Sequence, residues 1–405
     1  MSFLDYGRVP LAGNFLLPEE VGTESLYPMD LAFCPDCSLT QISNVVPAEE
    51  LFTDYRYLSS VTSTLIGHFR EYAKLLATES MAAGGKLLVE FGCNDGVLLQ
   101  PLKELGVKAI GVDAAENVVQ IARAKGLDVR HGFFGVDFGS RLRRDHGPAA
   151  VITSSNCFAH IDDLDNILRG VDSLLGDDGV FVVEVHYVLD LLETVQFETV
   201  YHEHLCYYSL KALSRLYGRF GFEVFDAQRL PMHGGAIRVF AQRQGDSSRS
   251  PTTRLRQLLA VEEARGLYQV AAYQQFGASA IEARDTIRRF VLERKAMGRS
   301  LSAYGAAGRA TTLLNYCGLD HTVLDYVVDE SPSRIGRFVP GVEIPIVPRS
   351  HFHDRPTDDC LLTAWNYRDE IVAKESAYLA NGGVFLAPLP TIEVIERGRP
   401  CRASA

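Results

Sequence analysis

Short apolar runs alternate with stretches of helical periodicity through the middle of this chain. The runs that predict buried strands lie at residues 87–89, 109–112, 129–132, 149–153 and 180–185. Apolar positions at helical spacing occupy residues 64–77, 117–125 and 162–175. Two later runs, at residues 223–227 and 236–242, fit an antiparallel pair. The pattern predicts an α/β fold over residues 66–246, a doubly wound, Rossmann-like sheet of parallel strands with an antiparallel edge.

The last part of the chain, residues 247–405, predicts a helical region followed by a second α/β domain. Helical periodicity covers residues 254–297 and is interrupted near Gly277. A strand then leads into the turn Gly305-Ala-Ala-Gly308 and a helix. Further strands are expected at residues 323–328, 361–364 and 384–387. This pattern is also Rossmann-like, and its glycine turn is equally consistent with a phosphate site and a structural turn.

Residues 1–65 predict a small β-rich domain, because prolines break their short apolar pieces and helix signals are few. The region contains Cys34-Pro-Asp-Cys37, which is half of a tetrahedral zinc site. The sequence has no second C-x-x-C, so a zinc pair and two unmetallated thiols both remain open. Tyr57 and Ser60 are candidates to line a cleft, although ordinary strand positions explain them as well.

The composition excludes several classes of function. A chain of 405 residues with 47% hydrophobic and 22% charged residues is typical of a soluble globular protein. The formal net charge of −11 argues against a nucleic-acid partner, because phosphate binding needs a basic face. No uninterrupted apolar run reaches the length of a membrane span, and the first residues lack signal-peptide features. We therefore expect a cytoplasmic protein whose eight cysteines are thiols or metal ligands.

A candidate cofactor loop follows the strand at residues 87–89. The loop reads Glu90-x-Gly92-x-x-x-Gly96, and Asp113 ends the next strand. Glycines let the backbone approach a ligand closely, and the acid can hold ribose hydroxyls. A dinucleotide fingerprint would read G-x-G-x-x-G, which this loop does not. The loop resembles that of class I S-adenosylmethionine (SAM) methyltransferases, which favours SAM over a dinucleotide or a structural turn.

Consecutive titratable side chains, Tyr201-His202-Glu203-His204, follow the strand at residues 180–185. Open α/β sheets bind ligands at the carboxyl ends of their strands. A histidine moves protons near neutral pH, a neighbouring carboxylate can raise its basicity, and a tyrosine can donate to a developing oxyanion. A metal pair is disfavoured because the H-E-x-x-H spacing is absent. Acid–base chemistry is therefore favoured, with a solvated polar loop as the alternative.

Two further polar segments follow or precede predicted strands. Asn156-Cys-Phe158-Ala-His160 comes after the strand at residues 149–153, where methyltransferases place groups near the methyl donor and acceptor. Asp162, just beyond, is explained equally well as a helix N-cap. His233-Gly234-Gly235 precedes the last strand of the sheet, and its glycines permit a ligand to approach closely. A plain hairpin turn accounts for this last segment as well.

Together these motifs resemble the nucleotide-sugar C-methyltransferases of deoxysugar biosynthesis. Further matches to that family lie at residues 10–15, 57–60, 304–308, 315, 340–345 and 364–370. The resemblance covers almost the whole chain and implies a zinc module at residues 1–65, a SAM-binding domain at 66–246 and a Rossmann-like domain at 247–405. Family members usually carry an earlier C-x-x-C that this chain lacks. Zinc at Cys34 and Cys37 is therefore left open.

The resemblance also implies roles for particular residues. SAM would be bound by Glu90, Gly92, Asn94, Gly96, Asp113, Ala114, Asn156 and Phe158. The acceptor would be contacted by Tyr57, Ser60, His160, His233, Gly234 and Gly235. His204 would be the general base, with Tyr201 and Glu203 holding the sugar and stabilising charge on its oxygen. The C-terminal domain would close over the cleft and hold a diphosphate.

The implied reaction is methylation of a TDP-linked 4-keto-6-deoxy sugar at carbon 3, or less often at carbon 5. A base removes the acidic proton next to the ketone, and the enolate then attacks the methyl group of SAM. The alternatives are an O- or N-methyltransferase acting on a small metabolite, a nicotinamide-dependent sugar oxidoreductase and a non-catalytic binding protein. The partners expected are the nucleotide sugar and neither nucleic acid nor membrane, and the protein is expected to be a monomer.

Overall fold

The computed structural model describes residues 1–47, 50–51, 59–61, 63–82, 84, 86–246 and 248–397. In chain order the strands are β1 (Ser2–Pro10), β2 (Leu26–Phe33), β3 (Thr40–Ile42), β4 (Leu87–Phe91), β5 (Ala109–Asp113), β6 (Val129–His131), β7 (Ala149–Ser155), β8 (Leu175–His186), β9 (Cys206–Tyr207), β10 (Phe222–Leu230), β11 (Ala236–Arg243), β12 (Leu301–Tyr304), β13 (Val327–Val328), β14 (Phe338–Val339), β15 (Ile344–Val347), β16 (Asp359–Leu362), β17 (Val384–Ala387) and β18 (Glu393–Ile395).

The α-helices of the same residues are α1 (Ser63–Ala82), α2 (Leu99–Glu104), α3 (Glu116–Ala124), α4 (Val136–His146), α5 (Leu164–Leu174), α6 (Val188–Glu193), α7 (Leu210–Gly218), α8 (Thr253–Ala264), α9 (Val270–Ala296), α10 (Gly308–Cys317), α11 (Arg349–Asp354), α12 (Arg368–Lys374) and α13 (Ser376–Ala380). Short 3-10 turns include Phe197–Thr199, Met232–Gly234 and Trp365–Tyr367. Within the described residues, no helix combines the length and apolar character that a membrane crossing requires.

The middle sheet has the order β10-β11-β8-β7-β4-β5-β6. Its strands from β4 to β8 pair in parallel, and β11 runs antiparallel to both β8 and β10. Every residue of β4 and β7 is buried, because helices cover both faces of the sheet. That burial explains why these strands read as continuous apolar runs. The predicted doubly wound sheet with an antiparallel edge is confirmed.

The N-terminal sheet has the order β1-β2-β3-β9. Its last strand, β9, comes from the middle of the chain and directly follows the segment Tyr201–His204. The pairing places Thr40 opposite Tyr207, so a strand just after the histidine motif completes the N-terminal sheet. The sequence pattern predicts a small β-rich region but contains no signal for this pairing, because a two-residue strand has no periodicity to detect.

The C-terminal sheet has the order β14-β15-β13-β12-β16-β17-β18. Its central strands pair in parallel, whereas β14 and β18 are antiparallel edges. Helix α10 starts at Gly308, the last residue of the predicted glycine turn. The second Rossmann-like unit is therefore confirmed, although β13 is shorter than the strand predicted over residues 323–328.

Two local predictions are wrong. The helical region breaks between α8 and α9, whereas Gly277 lies inside α9. A Cβ on Gly277 would approach the carbonyl oxygen of Phe3 to 2.3 Å, so the glycine lets β1 pack directly on the helix. Helix α5 is capped by Asp163, whose carboxylate accepts from the Asn166 amide at 3.0 Å. Asp162 accepts from the Asp163 amide instead and is not the N-cap.

Candidate active site

A cavity of about 860 Å³ opens at the carboxyl ends of the parallel strands of the middle sheet. Residues from the N-terminal and C-terminal regions also line it. The predicted residues that line it are Glu90, Gly92, Asn94, Asp113, Ala114, Asn156, His160, Tyr201, Glu203, His204 and His233. The order of the sheet reverses at β4, which is the position where open α/β sheets bind ligands. One cavity therefore brings together the glycine loop and the histidine motif.

The glycine loop has no room for a side chain at position 92. Its φ is 71°, and a Cβ there would lie 2.3 Å from the Cβ of Cys157. Beside it, Glu90 is buried, and its Oε2 has no hydrogen-bond partner within the described part of the chain. Burial, followed by the charge of Asp113, raises the pKa of Glu90 well above its usual value. An orphaned buried carboxyl at a close-approach turn fits a polar ligand with donor groups.

Asp113 is fixed at the end of β5 by two backbone amides. Its Oδ2 accepts from Asn94 N at 2.8 Å and its Oδ1 accepts from Ala115 N at 3.0 Å. Burial raises the pKa of this carboxyl, and the backbone donors partly offset that rise. A carboxylate oxygen can accept more than one hydrogen bond, so Asp113 keeps capacity for ribose hydroxyls.

Two of the predicted cofactor residues do not line the cavity. Gly96 has φ 82°, and a Cβ there would lie 2.2 Å from the Cδ1 of Leu127, so this glycine serves the packing of the turn. Phe158 is fully buried, with its ring 5.6 Å from that of Tyr208 and 6.2 Å from that of Phe181. Its place in the core explains its apolar character.

His204 has a defined tautomer in the acceptor half of the cavity. Its Nδ1 lies 2.9 Å from the carbonyl oxygen of Thr199. Because a carbonyl oxygen only accepts, Nδ1 carries the proton and Nε2 is the basic nitrogen. Burial, and then the nearby His186 and His160, lower the pKa of His204 well below its usual value. The imidazole is therefore neutral and able to accept a proton at physiological pH.

Tyr201 and Glu203 flank this histidine. The ring of Tyr201 lies 4.0 Å from that of His204, and Gly308 at the start of α10 packs against it. The carboxyl of Glu203 lies so close to Gly13 that a Cβ there would be 2.5 Å from Oε1. Burial raises the pKa of Glu203 to about 7, although Arg334 acts in the opposite direction. Near neutral pH this carboxyl is present in both its neutral and its charged form.

The C-terminal region contributes two arginines that the sequence analysis missed. Arg309 donates to the Asn366 Oδ1 at 2.8 Å and to the His233 carbonyl oxygen at 2.9 Å. Arg334 donates to the Asp329 Oδ2 at 3.3 Å, and both arginines line the cavity. Arg309 directly follows the Gly305-Ala-Ala-Gly308 turn, which was a usable signal for it. Arg334 lies in a loop without periodicity, and no sequence signal marks it.

His186 is a further cavity residue that the sequence analysis missed. It is the last residue of β8, and its ring lies 4.7 Å from that of His204. The general rule that sites form at strand carboxyl ends could have found it. Burial lowers its pKa well below the usual histidine value.

Several predicted acceptor residues have other contacts. Ser60 donates to the carboxylate of Asp95 and does not line the cavity, and Tyr57 lies outside the described residues. A Cβ on Gly235 would lie 2.2 Å from the Cβ of Asp190, so this glycine lets the turn pack tightly. Gly234 likewise faces a packed side chain rather than the cavity.

The geometry does not support a metal site formed by His202 and His204, because the two side chains lie in different surroundings. His202 Nε2 contacts the Pro28 carbonyl oxygen at 3.2 Å, away from the cavity that His204 lines. Cys34 and Cys37 lie in a tight turn as free thiols. Across the described residues, no group of three or more metal-ligating side chains occurs. Cys34 and Cys37 would supply two zinc ligands, whereas a closed zinc site needs four.

Comparisons with known proteins agree with this architecture. Residues 1–52 match the model "Putative zinc binding domain", residues 66–227 match "Methyltransferase domain" and residues 231–390 match "C-methyltransferase C-terminal domain". The chain is 35% identical over 397 residues to C-methyltransferase NovU of Streptomyces niveus, covering 98% of this chain and 94% of the relative. The chain belongs to this C-methyltransferase family. It is a SAM-dependent methyltransferase, and the prediction from the glycine loop is confirmed.

Two other similarities cover smaller shares of this C-methyltransferase. A ubiquinone biosynthesis O-methyltransferase of Bordetella pertussis is 24% identical over 129 residues, which is 31% of this chain and 51% of the relative. The structure of the CcbJ methyltransferase from Streptomyces caelestis aligns with 44% of this chain and 90% of its own, at 16% identity and a TM-score of 0.34.

Proposed function

We propose that this enzyme methylates the carbon next to the ketone of a TDP-linked 4-keto-6-deoxy sugar, most simply at carbon 3. The observation that carries the proposal is the neutral His204, whose Nδ1 is held by Thr199 and whose Nε2 is the basic nitrogen of a cavity shared with the glycine loop. An O- or N-methyltransferase needs no base positioned for a carbon acid. A C-methyltransferase needs one, because carbon becomes nucleophilic only after its proton is removed.

The donor half of the cavity would hold SAM through the residues at the ends of β4, β5 and β7. Glu90 and Gly92 would face its amino-acid portion, Asp113 its ribose hydroxyls, and Asn156 the region nearest the acceptor. The Oδ1 of Asn156 is buried with no hydrogen-bond partner in the described structure, which supports a polar ligand there. When bound, SAM supplies an electrophilic methyl group, and its sulfonium becomes a neutral sulfide as the new bond forms.

The acceptor half would generate and stabilise the enolate. The C–H bond next to the ketone breaks, the proton passes to Nε2 of His204, and the electron pair enters the enolate. Tyr201 and the neutral form of Glu203 would donate hydrogen bonds to its oxygen, and the guanidinium of Arg309 supplies positive charge nearby. Holding donor and acceptor together contributes as well, since effective molarities are worth about 7–11 kcal/mol.

The diphosphate would lie against the C-terminal region. Helix α10 starts at Gly308 without a side-chain cap, and its first two residues, Gly308 and Arg309, line the cavity, so their backbone amides would be available as donors. Arg334 lines the same side and has a buried Nε with no partner within the described residues. Helix amides and an arginine are groups that bind phosphate oxygens. We therefore expect the sugar to bind near His204 and the diphosphate to bind near Arg334.

The deciding experiment supplies SAM with a ¹³C-labelled methyl group and a panel of TDP-4-keto-6-deoxy sugars. NMR of the product distinguishes a methyl on carbon from one on oxygen or nitrogen, and it identifies carbon 3 or carbon 5. We expect a C–CH₃ signal with a nucleotide-linked acceptor and none with the free sugar. An O–CH₃ or N–CH₃ product would overturn the proposal.

A further inference from the structure

A row of side chains capable of proton exchange starts at His204 and runs along the wall of the cavity. The ring of His204 lies 4.7 Å from the ring of His186, which lies 5.9 Å from the ring of His233. Backbone pairing fixes this row, because His186 ends β8 and pairs with Ala236, just after the turn that carries His233. The three rings come from three different elements and are held in sequence.

His204 has no second nitrogen with which to release a proton. Its Nδ1 donates to the Thr199 carbonyl oxygen, so a proton accepted at Nε2 has to leave from Nε2. The resulting imidazolium would be buried and close to the guanidinium of Arg309, which lowers the pKa of His204 further. A cation in that place is unfavourable, and the base is regenerated only when the proton leaves.

His186 and His233 are placed to receive that proton. Both line the cavity, and neither imidazole has a hydrogen-bond partner among the residues that the structure describes. His233 has φ 55°, a conformation unusual for a non-glycine residue, and Arg309 holds its carbonyl oxygen at 2.9 Å. Strain maintained by a specific contact is a feature of functional sites.

The row continues toward the protein surface. His68 Nε2 lies 2.7 Å from the Oε1 of Glu184, and the side chain of His68 is 12% exposed whereas that of Glu184 is fully buried. Glu184 is two residues before His186 on β8, and its other oxygen accepts from Arg238 at 2.7 Å. Residues two apart on a strand project from the same face of a sheet, so the partly exposed His68–Glu184 pair lies beside His186 on that face.

We propose that His186 is the proton carrier that follows His204, and that His233 and the His68–Glu184 pair complete the path to solvent. The inference rests on the proposed function. The proton taken from the carbon acid bonds to Nε2 of His204, transfers to His186 and continues to His233, directly or through one water. His204 returns to its neutral form, and no oxidant or further reactant is involved. His186 acts on His204 and not on the sugar, so it is a positioning and relay residue.

The test compares His186→Phe with His202→Phe. Both variants lose one histidine near the base, but His202 contacts Pro28 and does not line the cavity. Each is assayed for one turnover with enzyme in excess over the TDP-4-keto sugar, and for steady-state turnover. Hydrogen at the acidic carbon is also followed for exchange with D₂O. SAM affinity, measured by calorimetry, verifies that each variant is folded.

For His186→Phe we expect a first turnover at close to the wild-type rate, and steady-state turnover and exchange reduced about tenfold or more. His202→Phe should leave the ratio of the two rates unchanged. With His186→Gly, added imidazole should restore steady-state turnover, because it replaces the missing carrier.

The relay is overturned if the first turnover and the steady state of His186→Phe fall together, or if neither falls. The absence of imidazole rescue in a folded His186→Gly protein also overturns it. The proposed function fails in a different way, because the wild-type enzyme would then form no C–CH₃ product in the first turnover.

Discussion

The Nδ1 of His204 lies 2.9 Å from the carbonyl oxygen of Thr199, and this contact sets which nitrogen of the imidazole is basic. The same carbonyl oxygen accepts the hydroxyl of Tyr207 at 2.9 Å, so it is held in place from two sides. Thr199 closes a 3-10 turn in the buried segment before the histidine motif. The geometry of the base therefore depends on backbone and not on another side chain.

Replacing the proposed base should remove turnover without affecting the cofactor. His204→Asn keeps a donor toward Thr199 but has no basic nitrogen, so we expect methyl transfer to fall about 10²- to 10⁴-fold. SAM affinity, measured by calorimetry, should stay close to that of the wild type. His202→Asn is the matched control and should keep most of the activity. Unchanged turnover in His204→Asn would rule out its role as base.

The pH dependence of turnover should report Glu203. Burial raises the pKa of this carboxyl to about 7, so it loses its proton as the pH rises through that value. If the neutral form donates to the enolate oxygen, turnover falls on the alkaline side of about pH 7. Glu203→Gln keeps a donor that does not titrate, so its profile should be flat there. A wild-type rate that rises through this range would show that the carboxylate is the active form.

Asp113 should contribute directly to SAM binding. Hydrogen bonds to a charged group contribute about 1.5–3 kcal/mol, so Asp113→Ala should raise the SAM Kd about 10- to 100-fold. The exposed carboxylate of Asp128, just before β6, is a suitable control, because Asp128→Ala leaves the cavity unchanged. Equal SAM affinity in the wild type and Asp113→Ala would place the ribose elsewhere.

The effect of the close contact at Gly92 can be measured by comparison with Gly106, a glycine that is required only for its positive φ. Gly92→Ala would strain φ and also drive a Cβ into Cys157, whereas Gly106, with φ 75°, has open space around it. The added overpacking costs about 1–3 kcal/mol beyond the strain that both variants share. We expect Gly92→Ala to lower Tm and SAM affinity clearly more than Gly106→Ala does. Similar losses in the two variants would contradict the close-approach explanation.

Arg334 should affect the nucleotide sugar and not the methyl donor. A charge-assisted hydrogen bond contributes about 1.5–3 kcal/mol, so Arg334→Gln should raise KM for the TDP sugar about 10- to 100-fold. Arg337 lies in the same loop and does not line the cavity, so Arg337→Gln is the matched control. A loss of SAM affinity in Arg334→Gln, with KM for the sugar unchanged, would refute the diphosphate assignment.

The sequence alone determined the middle sheet and both of its candidate motifs. Strands such as β4 and β7 are buried on both faces, so they appear as apolar runs whatever packs on them. A motif that follows such a strand lies at the sheet's carboxyl edge by topology alone, which is why Glu90, Gly92 and His204 were predicted to lie in one site. Phe158 and Gly235 were predicted to contact ligands but pack away from the cavity, because apolar side chains and glycines occur in the core as well as in cavity walls.

Only the tertiary structure decided how the acceptor half is assembled. His186, His233 and Arg309 come from separate elements, and the pairing of β8 with β11 and the docking of α10 bring them to His204. None of these contacts is reflected in periodicity, because a cavity wall is made of single side chains from elements far apart in the chain. The tautomer of His204 and the raised pKa of Glu203 follow from that packing. The sequence therefore indicated which chemistry to expect, and the fold set the protonation states on which that chemistry depends.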